Sequence, residues 1–236
     1  MSERLFFRQW LSGRDFAIGD PVARQMVNFT YVIGDALTGE ALLVDPAYAP
    51  QELLDLLADE GMRLVGVVAT HYHADHIGGN LMGHAVAGIA EIAHMVTVPI
   101  HVQGSEVTWV TKGTGVEVPP LVAHGPGEVI TVGEIAITLM HTPGHTPGSQ
   151  CLFFEGRLVS GDTLFLNGCG RTDLPGSSPL EMYASLQERL AGLPGDTVLY
   201  PGHYYSPEPY ATLAEVRARN AVLAPRGPEE WLAAFA

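Results

Sequence analysis

Apolar residues recur along this chain with two periods, and each change of period coincides with turn-forming residues. Residues 27–33 and 41–44 are rich in β-branched and aromatic side chains and predict two strands, separated by a turn over 34–39. Residues 50–60 set Leu53, Leu54, Leu56 and Leu57 at near-helical spacing and close at Gly61, which predicts a helix with a glycine C-cap. Residues 64–69 form a short apolar run suited to a strand covered on both faces, and it stops abruptly at Thr70-His71. Small apolar residues predict a helix over 80–95. A strand is expected over 98–102 and a short helix over 105–112, with Ser105 as its N-cap. The Gly- and Pro-rich stretch 113–127 reads as a loop.

The second half repeats this theme without repeating the sequence. Strands are expected at 129–132 and 135–140, joined at Gly133-Glu134, and a hairpin at 150–154 and 157–160 around Glu155-Gly156. Residues 179–193 predict a helix with Leu180, Tyr183, Leu186, Leu190 and Leu193 on one face. A strand at 197–200 and a polar-faced helix at 211–223 follow. Strands dominate both halves and helices lie between and after them. An α/β architecture with two sheets and helices outside, in one domain over 1–236, accommodates this order.

Charge narrows the choice of partner. Twelve basic residues stand against 26 acidic ones, a net charge of −14. A phosphate backbone or an anionic membrane surface needs clustered Lys and Arg, so nucleic acid and membrane are excluded as partners. Two cysteines, Cys151 and Cys169, cannot form a disulfide scaffold and form no Cys-x-x-Cys pair. The first ten residues carry charges where a signal peptide needs an apolar run, and no stretch matches a membrane span. A cytoplasmic location is the expectation. A homo-oligomer is compatible with all of this.

Five motifs place a His or Asp where a predicted strand runs out into a turn. They are Thr70-His71-Tyr72-His73-Ala74-Asp75-His76, Thr142-Pro143-Gly144-His145, Ser160-Gly161-Asp162-Thr163, Pro201-Gly202-His203 and Val44-Asp45-Pro46. Strand ends at one sheet edge put their loops into one crevice. Imidazole and carboxylate gathered there suit zinc, iron or manganese. His71 and His73 are two apart, so in extended chain they point the same way. Asp75 and His76 follow where a turn can aim them at a second point. One ion takes about three or four protein ligands. The seven candidates His71, His73, Asp75, His76, His145, Asp162 and His203 therefore suit two ions with one carboxylate between them. His84, His94, His101, His124 and His141 lack this context and read as surface or packing residues. Cys151 reads as a buried strand residue.

The His-x-His-x-Asp-His run, with a later His, Asp and His, resembles the metallo-β-lactamase superfamily. Ser160-Gly161-Asp162-Thr163-Leu164-Phe165 and Gly168-Cys169-Gly170-Arg171-Thr172-Asp173 resemble its glyoxalase II and persulfide dioxygenase branch. The resemblance implies a four-layer αββα sandwich with metals at the sheet edge. It implies that His71, His73 and His145 hold one metal and Asp75, His76 and His203 the other, with Asp162 between. Asp45 matches an outer aspartate of the family. Against that pattern, 80–112 reads as a helical insertion and 204–236 as a short C-terminal helical tail. That tail is shorter than the helical domain that ends glyoxalase II proteins.

The expected activity is hydrolysis of a thioester or similar acyl compound by water activated between two divalent ions, zinc before iron or manganese. Asp75 would orient the nucleophile. Arg171 would grip a substrate carboxylate, and Tyr204 or Tyr205 would donate a hydrogen bond at the mouth. The substrate would be a small molecule, such as a conjugate of glutathione or another thiol. The alternative is a persulfide dioxygenase with a single Fe(II) on His71, His145 and Asp162. A nuclease is disfavoured by the acidic charge, a non-catalytic binding protein by the complete ligand set, and an exported β-lactamase by the lack of a recognisable signal segment in the sequence.

Overall fold

The structure, a computed structural model, describes residues 4–117, 120–224 and 226–235. The first half runs β1 (Leu5–Leu11), α1 (Pro21–Met26), β2 (Phe29–Asp35), β3 (Glu40–Val44), α2 (Pro50–Asp59) and β4 (Arg63–Val68). It continues through α3 (Ala74–Ile77), β5 (Gly79–Leu81), β6 (His84–Val86), α4 (Ile89–Met95), β7 (Ile100–Gln103), α5 (Val107–Thr114) and β8 (Leu121–His124). The second half runs β9 (Val129–Val132), β10 (Ile135–His141), β11 (Gln150–Phe154), β12 (Arg157–Gly161) and α6 (Pro179–Ala184). It ends with β13 (Val198–Pro201), β14 (Ala211–Thr212), α7 (Leu213–Arg219) and α8 (Pro228–Phe235). One six-stranded sheet has the order β1-β2-β3-β4-β7-β8, the other β14-β13-β12-β11-β10-β9.

Alternation along the strands produces the layers. Tyr31, Ile33, Leu42 and Val44 point inward and meet Ile137, Leu139, Leu152 and Phe154 of the other sheet. Their neighbours Val32, Ala41 and Leu43 point outward against Leu53 and Leu57 of α2. Val67, Ile100 and Val102 pack outward against Ile89 and Ile92 of α4 and Val110 of α5. On the far side, Cys151, Leu158 and Leu199 pack against Met182 and Leu186, Val216 of α7 and Trp231 of α8. Helices, sheet, sheet and helices thus form four layers, as the resemblance implied.

Several expected elements differ. Residues 80–95 are not one helix: β5 and β6 form a hairpin with Met82 at its tip, 93% exposed, and the helix starts only at Ile89. Gly83, at φ 94°, permits the reversal. The expected helical insertion is therefore half hairpin. Ser105 does not cap α5: its hydroxyl donates to the Pro147 carbonyl, and a 3₁₀ turn precedes the helix. Part of the expected loop 113–127 is β8, because β7 offers it a parallel edge. Residues 118 and 119 of that stretch, and 225 and 236 of the tail, lie outside the described residues.

The helix expected over 179–193 ends at Ala184 and widens into a π-turn at Ser185–Arg189. This leaves Leu180 57% exposed while Met182, Leu186 and Leu190 are buried. The tail is not purely helical either, since β14 joins the sheet edge before α7. No helix among the described residues is long and apolar enough to cross a membrane.

Candidate metal centre

Five strands end at one edge of the sandwich. Asp45 follows β3, His71 and His73 follow β4, His145 follows β10, Asp162 follows β12 and His203 follows β13. Asp75 and His76 lie in α3, immediately after the His71–His73 loop. Backbone hydrogen bonds fasten the two sheets together here. Gln150 N donates to the Thr70 carbonyl (2.9 Å) and Phe29 N to the Gly202 carbonyl (2.8 Å), while Asn28 and His203 form an isolated bridge. Two glycines permit the close approach. A Cβ at Gly202 would collide with the Asp162 carboxylate, and one at Gly170 with the Asp162 carbonyl and the His145 ring.

Ligand-type atoms converge on two points. His71, His73 and His145 offer nitrogens within 4.8 Å of one another, and so do Asp75, His76 and His203 with their donor atoms. Asp162 reaches both groups. Its Oδ2 lies 3.6 Å from His145 Nε2 and 3.3 Å from His203 Nε2, and its Oδ1 lies 3.4 Å from His76 Nε2. Asp45 also lies beside His71 and His76, but its oxygens are already engaged. They accept from Thr70 N (2.7 Å), Thr70 Oγ1 (2.6 Å) and His76 Nδ1 (2.9 Å).

The outer hydrogen bonds set which ring nitrogen faces inward. His76 Nδ1 faces Asp45, His145 Nδ1 donates to the Arg171 carbonyl (2.8 Å), and His203 Nδ1 donates to the Met26 carbonyl (2.8 Å). His71 Nδ1 faces the Thr70 hydroxyl at 3.0 Å. Each of these rings turns Nε2 to the centre, whereas His73 turns Nδ1, 2.9 Å from His145 Nε2. His71 Nε2 and Asp162 Oδ1 are buried and have no hydrogen-bond partner among the described residues. Buried orphans of this kind are costly unless a cation meets them. In the second group the inward atoms lie 3.2, 3.4 and 3.6 Å apart. Tetrahedral bonds of about 2.0–2.2 Å place neighbouring donors roughly 3.3–3.6 Å apart. The residues fit divalent metal.

The two groups differ in charge. Burial, reinforced by the neighbouring imidazoles, holds His71 well below its ordinary pKa and pulls His73 down to about 4. Burial also lowers His145. At His76 burial works the same way but is outweighed by Asp162, Asp75 and Asp45, which push it up to about 10. His203 is raised against its burial by Asp162. Burial likewise opposes ionisation of Asp162, yet His203 and His76 hold it well below the carboxylate range.

A cleft of about 900 Å³ opens over this floor, with His73, Asp75, Asp162 and His203 at its base. Leu81, Met82, Phe165, Leu174 and Tyr205 supply an apolar wall. The Tyr205 ring stacks on His203 at 4.6 Å. Tyr204 is not part of the lining: its ring packs edge-on to Phe29 and its hydroxyl donates to the Pro207 carbonyl. Arg171 lines the mouth, but its exposed guanidinium is paired with Asp173 at 2.9 Å. Cys169 also lines the cleft, and burial pushes its thiol up to about 12. His101 and His124 pair with each other at 2.8 Å, and neither joins a donor group.

Sequence reading missed four supporting residues. Thr70 relays between Asp45 and His71. Buried Glu106 accepts from Tyr72 N, Thr146 Oγ1 and Gly148 N at 2.6–2.9 Å, and so clamps the His71–His73 loop to the His145 loop. Asn28 and Tyr48 stand behind the second group. A polar Asn at the start of the apolar run 27–33 was the available signal for Asn28, whereas Glu106 follows Gln103, Gly104 and Ser105 and carried no such signal.

Comparison with known proteins agrees with this geometry. Residues 24–203 match the model of the metallo-beta-lactamase superfamily. The chain is 31% identical over 228 residues to the mitochondrial persulfide dioxygenase ETHE1 of Homo sapiens, covering 90% of this chain and 80% of that protein. It is 37% identical over 182 residues to a hydroxyacylglutathione hydrolase of Polaromonas sp., covering 75% of this chain but 62% of the relative. The crystal structure of ETHE1 from Myxococcus xanthus superposes with a TM-score of 0.77 at 27% identity, covering 97% of this chain and 88% of that one. Four layers, a His-Asp centre at the sheet edge and a family match over most of the length lead to one assignment: the chain belongs to the metallo-beta-lactamase superfamily.

Proposed function

We propose that this protein is a metal-dependent hydrolase that cleaves a thioester or a related acyl compound. The observation that carries the reading is the pair of donor groups, each oriented by outer hydrogen bonds, with Asp162 in reach of both. Divalent ions held there, zinc before iron or manganese, would lower the pKa of a water toward neutrality and polarise the acyl carbonyl. The chain's own groups do the rest. Asp162 spans the two positions, and Asp75, facing the cleft, accepts a hydrogen bond from the attacking water and so orients it. The apolar wall of Leu81, Met82, Phe165 and Tyr205 receives the acyl or thiol portion. Arg171 exchanges Asp173 for a carboxylate of the substrate, which suits a small anionic thiol conjugate such as a glutathione thioester. The similarity to a hydroxyacylglutathione hydrolase supports this class.

A second reading has its own support. The likeness to persulfide dioxygenases extends over more of those proteins than the likeness to the hydrolase does. Two of the buried atoms without a partner belong to His71 and Asp162, residues that with His145 form a two-His, one-carboxylate set of the kind that holds a single Fe(II). One experiment separates the readings. Purified protein is assayed for metal content, then for cleavage of an acyl-glutathione thioester and for oxygen uptake with glutathione persulfide. Two ions and thioester cleavage without oxygen uptake are expected. Stoichiometric oxygen consumption by protein carrying one iron would replace hydrolysis with dioxygenation.

A further inference from the structure

The second donor group carries a feature that neither activity requires. Its three inward atoms all face one side-chain amide. Asn28 Nδ2 lies 3.1 Å from Asp75 Oδ2, 3.2 Å from His76 Nε2 and 3.4 Å from His203 Nε2. Those atoms are 3.2, 3.4 and 3.6 Å from one another. Four atoms at these spacings form a nearly regular tetrahedron whose centre is roughly 2.0 Å from every corner, the length of a metal–nitrogen bond. The fourth corner is an amide NH₂, which donates hydrogen bonds and cannot bind a cation.

The amide is held in this orientation. The Tyr48 hydroxyl donates to Asn28 Oδ1 at 3.0 Å, so turning the amide over would strand a buried O–H. Tyr48 keeps that position with a left-handed backbone, φ 73°, which a bulky side chain rarely adopts. The backbone of Asn28 is fixed too, since it bridges to His203 and its carbonyl accepts from Ser12 N. Both side chains are buried. The first donor group has no such partner, and its His71 Nε2 is an orphan.

We propose that Asn28, locked by Tyr48, is a latch on the second metal position. Its amide holds Asp75 and covers the three donors until an ion displaces it, so the second position fills after the first and more weakly. The inference rests on the two-position reading of the site and adds the order in which the positions load.

Calorimetric titration of metal-free protein with Zn²⁺ tests it, with Co²⁺ titrated in parallel and followed by visible absorption. The wild type is expected to bind two ions in steps separated by about tenfold or more, the size of a lost amide–carboxylate hydrogen bond. Asn28→Ala should leave the first step unchanged and tighten the second by about tenfold. Asn28→Asp keeps the volume and the Tyr48 contact but puts a carboxylate oxygen at the fourth corner. It should tighten the second step further and strengthen the absorption of tetrahedral Co²⁺. Circular dichroism checks that both variants fold. An Asn28→Ala second step that is unchanged or weaker overturns the latch. Equal steps in the wild type overturn the latch but leave the two-metal hydrolase standing. A wild type that takes one ion while Asn28→Asp takes two supports the latch and removes the two-metal hydrolase.

Discussion

The two donor groups share one carboxylate and one crevice, yet they are built differently. His71, His73 and His145 come from loops that leave β4 and β10, and Glu106 clamps those loops together. Their imidazoles are held in the neutral state by burial and by one another. Asp75, His76 and His203 come from α3 and the end of β13, backed by Asp45, the Met26 carbonyl and Asn28. Here the carboxylates favour the charged form of both histidines, and an amide faces every inward atom. The first group is short of a cation, whereas the second is partly satisfied without one. Equal ligand counts therefore do not mean equal sites, because affinity depends on what the donors do when the ion is away.

The largest expected effect erases the contrast. Asp162→Ala removes the carboxylate common to both groups, so both ions should be lost and turnover should fall on the order of 10²–10³-fold. Elemental analysis beside a turnover assay checks this. Full stoichiometry in that variant would remove Asp162 from its place between the ions. Single-site variants should then expose the asymmetry. His203→Ala is expected to cost one ion and most of the turnover, while His145→Ala should weaken the tighter step of a metal titration. If His203→Ala instead kept one iron and lost only about 10–100-fold in activity, the second group would be an outer support, as a dioxygenase requires.

Proton release gives a smaller and graded difference. His73, lowered to about 4, carries no proton at neutral pH, so an ion entering the first group displaces none from it. His76, raised to about 10, keeps its proton until that range, so an ion entering the second group must expel it. Affinity at the second step should rise about tenfold per pH unit between 7 and 9, while the first step stays flat. Calorimetry in buffers of different ionisation heat measures the protons directly. The smallest effect belongs to Arg171. Its side chain is exposed and its backbone carbonyl does the work at His145. Arg171→Ala should leave metal content unchanged and raise KM only a few-fold for an anionic thioester, since water and salt screen an exposed ion pair. Unchanged kinetics would confine Arg171 to its carbonyl.

Most strands were legible because their residues alternate or run apolar over a distance that chain neighbours alone determine. The hairpin at 79–86 was not, because small apolar residues suit a helix as well as a strand and only packing of Leu81 and Val86 against the α2 side decides. β8 and β14 were invisible because an edge strand is defined by the partner it finds. Tyr204 and Tyr205 are adjacent and chemically identical, yet one packs on Phe29 and the other stacks on His203 over the cleft.

The ligand-type residues were determined by sequence alone. Their spacing at strand ends and the Gly and Pro beside them are local facts, and metal chemistry restricts the residue types that can serve. Which ring nitrogen turns inward, which donors stand orphaned and which face an amide were decided only when two sheets met. Asn28 reaches His203 from 175 positions away, and Asp45 reaches His76 from 31. No local pattern encodes those distances, because they follow from the packing of layers whose registers are set by core residues elsewhere.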